Sequence, residues 1–275
     1  MEKEHLLNGA KNKDINAFNE LFGLHEKSLK SYLYRLLTNR HDVEDFYHNT
    51  FVKAFDKIDT FKGNVSQFKS WVFTIATNLS LNFLKRKRRW NSDASDKARD
   101  AMESKTFDQK MAFFSKIKSQ PFAEYEVKEH IDFCFTCVSN TLPYQQQLAL
   151  LLKEVYHFKV AEISSICELT LAQTKHALLN ARNTMKDVFD KKCALINKQG
   201  TCHQCSELMG IMNPKKDKQQ ALIQVKMIAE SENKNQEELL DLRMELIRNI
   251  NPLYCKGADL HDALMQQTKL VNNLL

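Results

Sequence analysis

Along most of the chain, apolar residues return every three or four positions, the spacing that lines one face of a helix. Val43, Phe46, Thr50, Phe51, Ala54, Phe55 and Ile58 form one such face. Asp42 is its expected N-cap, and Glu44 and Asp45 stand in the first turn, where carboxylates suit the helix dipole. The next predicted helix turns Phe68, Trp71, Val72, Ile75 and Leu79 inward and carries Lys69, Phe73 and Thr77, four residues apart, on a different face. A helix over about 124–140 places Val127, Ile131, Cys134, Phe135 and Val138 on one side, and Pro143 marks a break before the following one.

Three shorter patterns come next. Leu148, Leu151, Leu152 and Val155 suit a support helix, Val160, Ile163 and Ile166 a second, and Leu171, Leu178 and Met185 the inner face of a third. The short connection Glu168–Thr170 suits a helix-turn-helix in which Thr170 caps the third helix. Gln173, Lys175, His176 and Asn180 would then face outward, able to reach base edges or phosphates. By itself this region reads either as a DNA reader or as an ordinary three-helix bundle. Towards the C-terminus Ala221, Ile223, Met227 and Ile228, then Leu239, Leu240, Leu242, Met244, Leu246 and Ile247, predict amphipathic helices separated near Asn233 and ended near Pro252, a helical appendage that packs on the rest or binds a regulator.

Composition agrees with the pattern. The 275 residues include only 6 Gly and 4 Pro, so hairpin turns are scarce and an all-α fold is expected. With 43% hydrophobic residues a chain of this length can bury more than one core. From Trp90 to about Gln120 the sequence is polar and mixed in charge, without a sustained apolar stripe, and reads as a linker. No stretch is apolar enough to cross a bilayer and no leader is evident, so a cytoplasmic protein without membrane insertion is expected.

The net charge of +6 matters less than its clustering. Lys85, Arg86, Lys87, Arg88 and Arg89 follow one another at the end of the aromatic helix, where they either complement the helix dipole or neutralise phosphates. Phe73 beside Lys69 suits stacking on an unpaired base, or else packs against a neighbouring helix. Seven cysteines, an odd number, argue for thiols or metal ligands rather than a disulfide framework. Cys193, Cys202, His203 and Cys205 could close a zinc site, although adjacent Cys202 and His203 rarely point at one ion; core thiols or redox sensing are the alternatives. Cys134 and Cys137 are explained by packing. No Gly-rich phosphate loop, nucleophile triad or HExxH is present, so neither catalysis nor a small-molecule substrate is expected.

DVEDFYHNTFVKAFDKIDTF (42–61), FKSWVFTIATNLSLNFLKRKRR (68–89), LPYQQQLALL (142–151), AEISSICELT (161–170) and TKHALLNAR (174–182) together resemble the bacterial RNA polymerase sigma factors of the extracytoplasmic-function group, over about residues 10–90 and 125–190. The resemblance implies region 2 at 1–90, a linker at 91–123 that threads the polymerase, region 4 at 124–192 and an extra segment at 193–275. It places Asp45, Thr50, Phe51 and Lys53 on a polymerase-docking helix. Trp71, Ile75, Ala76 and Asn78 match the core of a promoter-melting helix, and 59–67 corresponds to a loop that captures a flipped minus-ten base. DNA contacts are implied for Lys69, Phe73, Thr77, Asn78, Lys85, Arg86, Arg88 and Arg89, and in the minus-thirty-five reader for Thr170, Gln173, Lys175, His176, Asn180 and Arg182. The implied partners are core RNA polymerase, promoter DNA and an anti-sigma factor. The chain departs from the family at His48 and Asn49, where Gln-Glu is usual, at Glu168 in place of a turn Gly, and at Ala177 and Asn180 in place of arginines. The other readings are a helix-turn-helix regulator without polymerase docking, and a metal- or redox-sensing adaptor.

Overall fold

The computed structural model describes residues 2–86, 89–115, 127–192 and 234–274. Within them every regular element is helical. Helices α1 (Glu2–Lys11) and α2 (Ile15–Gly23) form a tight hairpin. The Asp14 carboxylate accepts from the amides of Asn16 and Ala17 to start α2. The helices touch at Gly9, where a Cβ would stand 2.8 Å from that of Ala17.

Next come α3 (Glu26–Leu37), α4 (Arg40–Lys57), a 3₁₀ turn (Ile58–Thr60) and α5 (Val65–Arg86). The cap of α4 is Asn39, which accepts from the amides of His41 and Asp42, so the helix starts earlier than an Asp42 cap predicts. The expected inward face holds: Val43, Thr50, Ala54 and Ile58 are buried, with Phe46, Phe51 and Phe55 at their flanks. Phe18 is the hub of this lobe, with the rings of Phe22, Phe51, Phe55 and Phe68 between 5.1 and 6.3 Å away.

The connecting stretch carries α6 (Ala94–Glu103) and α7 (Phe107–Ser115). A narrow stripe of Ala94, Ala98 and Met102 is buried along α6, shorter and smaller than the apolar faces elsewhere, and Trp90 before it is buried too. The second lobe comprises α8 (Val127–Ser139), α9 (Tyr144–Leu150) running into a π-helical turn (Leu151–Val155), α10 (Val160–Cys167) and α11 (Leu171–Lys192). Two tail helices follow, α12 (Gln236–Arg248) and α13 (Ala258–Val271).

The lobes share one apolar core, with α5 of the first packed on α10 of the second. The tail bridges them. Helix α12 lies on α8, α11 and the π-helical turn, while α13 lies on α6 and α8. From α13, Asp262 accepts from Tyr34 Oη at 2.9 Å, Asp259 pairs with Arg40 at 2.6 Å, and Gln266 donates to the Thr38 carbonyl at 2.8 Å.

Candidate nucleic-acid interface

Helix α4 presents a largely polar row, broken by the exposed Val52. His41, Asp45, His48, Asn49, Lys53 and Asp56 are all exposed on it. Of the four residues expected to dock a partner, Asp45 and Lys53 lie on this row. Thr50 is buried, its hydroxyl donating to the Phe46 carbonyl at 2.6 Å, and Phe51 is half-buried against Phe18 and Phe22. Both are therefore supports beneath the face.

The turn between α4 and α5 is held open by its own chemistry. Asn64 accepts from the Gln67 amide and the Gln67 side chain accepts from the Asn64 amide, a reciprocal cap that starts α5. Phe61 folds back onto Trp71, ring centroids 4.9 Å apart, and crosses Gly63 so closely that a Cβ there would meet the ring at 2.5 Å. Lys62, Asn64, Ser66 and Gln67 are left exposed along the rim.

Helix α5 differs from its expected orientation. Phe73 has no exposed surface; its ring lies 5.1 Å from Tyr32, 5.7 Å from Tyr156 and 5.0 Å from Phe158. Thr77 is buried with its hydroxyl 2.8 Å from Tyr32 Oη. Lys69 donates to the Tyr156 carbonyl and stands 4.8 Å over the Phe158 ring, and burial lowers its pKa. Asn78 donates to Glu168 Oε1 at 3.0 Å. The face expected to meet DNA is thus the joint between the lobes, because α5 is apolar on two sides and both find a partner layer. At its end Lys85 and Arg86 are exposed, Arg89 donates to Gln147 at 2.7 Å, and Arg88 lies outside the described residues.

Helices α10 and α11 make the predicted turn. Glu168 occupies the left-handed region at φ 54°, the backbone conformation for which the usual Gly is suited. Thr170 and Gln173 cap α11 reciprocally. Gln173, Lys175 and His176 are exposed, and Asn180 approaches the His176 ring at 3.3 Å. Leu171, expected inside, is 53% exposed; the inner face is Thr174, Leu178, Ala181 and Met185, which fits the helical period better. Arg182 is fully engaged: Glu154 at 2.6 Å and Asp241 at 2.7 Å pair with it, and Glu237 accepts from its Nε at 2.7 Å. Sequence reasoning passed over these carboxylates because nothing in the spacing of α12 announces which helix it meets.

Cys193, Cys202, His203 and Cys205 lie outside the described residues. Among the described residues no group of three or more His, Cys, Asp or Glu could hold a metal ion. Burial pushes the Cys167 and Cys255 thiols up to about 12, so both are protonated packing groups at neutral pH.

Comparison with known proteins decides between the readings of this geometry. Residues 21–90 match the family described as Sigma-70 region 2. The chain is 23% identical over 175 residues to the ECF RNA polymerase sigma factor SigW of Bacillus subtilis, covering 63% of this chain and 89% of that protein. It is 24% identical over 175 residues to the RNA polymerase sigma factor YlaC of the same organism, covering 63% and 92%. With the ECF RNA polymerase sigma-E factor of Escherichia coli K12 the identity is 27% over 172 residues, covering 62% and 86%. The chain is thus similar to extracytoplasmic-function sigma factors over most of their length, and residues 21–90 carry the Sigma-70 region 2 match.

The region 2 match begins at Leu21, within α2, and ends at Trp90, so it takes in α3, α4, the 59–67 loop and α5 entire. Helix α1 precedes the match yet shares its core through Leu7 and Ala10. More than a third of the chain lies outside the alignment with these relatives. No helix among the described residues is long and apolar enough to cross a membrane.

Proposed function

We propose that this sigma factor docks core RNA polymerase through the outward row of α4, captures an unpaired promoter base at the 59–67 rim, and reads upstream DNA through α10 and α11 as a region 4. The observation that carries the reading is the pairing of a region 2 match with an α4 row on which His41, Asp45, His48, Asn49, Lys53 and Asp56 are all exposed. Asp45 and Lys53 supply charges of opposite sign on that face, with His48 and Asn49 between them. Electrostatic complementarity of that kind fixes register in an interface.

The rim suits a flipped base. Lys62 offers a cation, Asn64 and Gln67 offer amide groups, and Phe61 on Trp71 makes a rigid aromatic floor that a Cβ at residue 63 would disrupt. On α11 the outward Gln173, Lys175 and His176 reach base edges and phosphates, as a recognition helix does, with Arg182 about two turns beyond Lys175 on the same side. Two modest contacts on one tethered molecule gain from effective concentration, so selection belongs to the pair. The protein acts in the cytoplasm and leaves the chemistry of RNA synthesis to the polymerase. An anti-sigma partner would have to cover the free faces of α4 or α11.

Docking is tested with core polymerase stripped of its own specificity subunit. The full chain is expected to co-purify with it, and Asp45→Lys with Lys53→Glu to weaken that association at least about tenfold. Equal retention of the charge-reversed chain would overturn the α4 assignment.

A further inference from the structure

We propose that Arg182 and Lys186 of α11 form a binding site for the phosphate backbone, and that Glu237 and Asp241 of α12 are its resident occupants, displaced when DNA arrives. The inference deepens the reading of α10–α11 as a DNA reader and rests on it.

The three nitrogens of the Arg182 fork are each committed: Nη1 to Glu154, Nε to Glu237 and Nη2 to Asp241. Lys186, one turn along, gives its ammonium to Glu237 at 2.6 Å. This is how a guanidinium and a neighbouring ammonium would meet successive phosphate oxygens, with carboxylate oxygens standing in for them. The partners differ in the way displacement requires. Glu154 is 7% exposed and also takes Arg248, so it belongs to the core of the lobe, whereas the Glu237 and Asp241 side chains are 46% and 57% exposed. Pairs at such a rim are screened and contribute little, so a polyanion that releases condensed counterions can replace them.

Helix α12 is shaped to hold the acids in place until then. Asn235 accepts from the amides of Glu237 and Glu238, and Glu238 returns the bond to the Asn235 amide, fixing the first turn on which Glu237 stands. Leu240, Met244 and Ile247 bury the stripe immediately beside the two acids. The tail is held further by the buried Leu260, Leu264 and Met265 of α13 and by polar contacts of Asp262 to Tyr34, Asp259 to Arg40, Gln266 to Thr38 and Arg248 to Glu154.

The test compares the full chain with the double variant Glu237→Gln, Asp241→Asn, measuring binding of a short random-sequence DNA duplex across a salt series. The variant keeps the hydrogen-bonding shapes and removes two negative charges. Its affinity is expected to rise at least about fivefold at low salt, with a log–log salt slope steeper by about 1–2, because two cations become free to displace counterions. Unchanged affinity and slope in a protein that does bind would overturn the occupant proposal while leaving the reader intact; no binding by either protein would overturn the reader itself and the proposal with it. A second measurement uses the native chain alone: saturating duplex should speed amide exchange across 236–248, and undiminished protection in the bound protein would overturn displacement.

Discussion

Arg35 Nη2 lies 2.7 Å from Asp132 Oδ1, with neither side chain exposed, and this pair joins α3 of the first lobe to α8 of the second. Arg35 also donates to Tyr156 Oη at 2.9 Å and to the Ile250 carbonyl at 2.9 Å, so one guanidinium ties the first lobe, the second lobe and the segment between α12 and α13. Burial pushes the Asp132 carboxyl up, opposed by the Arg35 guanidinium beside it. A buried pair adds little net stability against an apolar replacement, but half of one is costly. Its role is to specify one arrangement of the lobes.

Replacing Asp132 by Ala should therefore destabilise by about 3–5 kcal/mol, since it leaves a guanidinium in the joint without its carboxylate. Tyr156→Phe should cost about 1–2 kcal/mol through loss of one acceptor for Arg35. Urea unfolding with a common slope measures both.

Phe73→Ala distinguishes a core ring from a surface platform. With Tyr32, Tyr156 and Phe158 around it, the truncation should cost about 3–5 kcal/mol, read as a lower urea midpoint. A change within about 0.5 kcal/mol is what an exposed stacking residue would give.

Glu168 combines a conformation suited to glycine with a side-chain bond to Asn78 across the joint. Glu168→Gly should stabilise the turn by about 1 kcal/mol in an Asn78→Ala background and by less in the native chain, where the interlobe hydrogen bond is lost at the same time. A thermodynamic cycle over the four proteins checks the difference.

Much of this architecture was legible in the chain. The inward faces of α4 and α5 and the turn at Glu168 followed from helical spacing, and burial of Val43, Phe68, Ile163 and Met185 agrees with it. The N-cap of α4 was missed because Asp42 and Asn39 are both competent caps, and the choice depends on where α3 ends at Thr38, φ 55°. Phe73 was misplaced because a period places residues on faces without saying how many faces are covered. Arg35 was not singled out, although an arginine inside YLYRLL is a visible sign of a buried partner. Which acids meet Arg182 is a long-range fact, separated by 55 and 59 residues, and no local pattern holds it.

His25 gives a pH signature. Burial, with Lys69 and Lys3 nearby, brings its pKa down from 6.5 to about 4, so the folded state holds the ring neutral. The stability this provides is complete above pH 6.5 and is lost as pH falls towards 4. For a half-buried ring it amounts to about 1–2 kcal/mol after solvent screening. His25→Gln should flatten that part of the stability profile, which unfolding measured at successive pH values will reveal.

The central claim is that this chain confers promoter choice on core polymerase. Transcript start sites mapped in vitro on a pool of bacterial genomic fragments, with core polymerase alone and with the purified chain added, test it most directly. The account predicts new starts at defined positions that share two separated upstream sequence blocks; a start-site profile identical to that of core polymerase alone would contradict it.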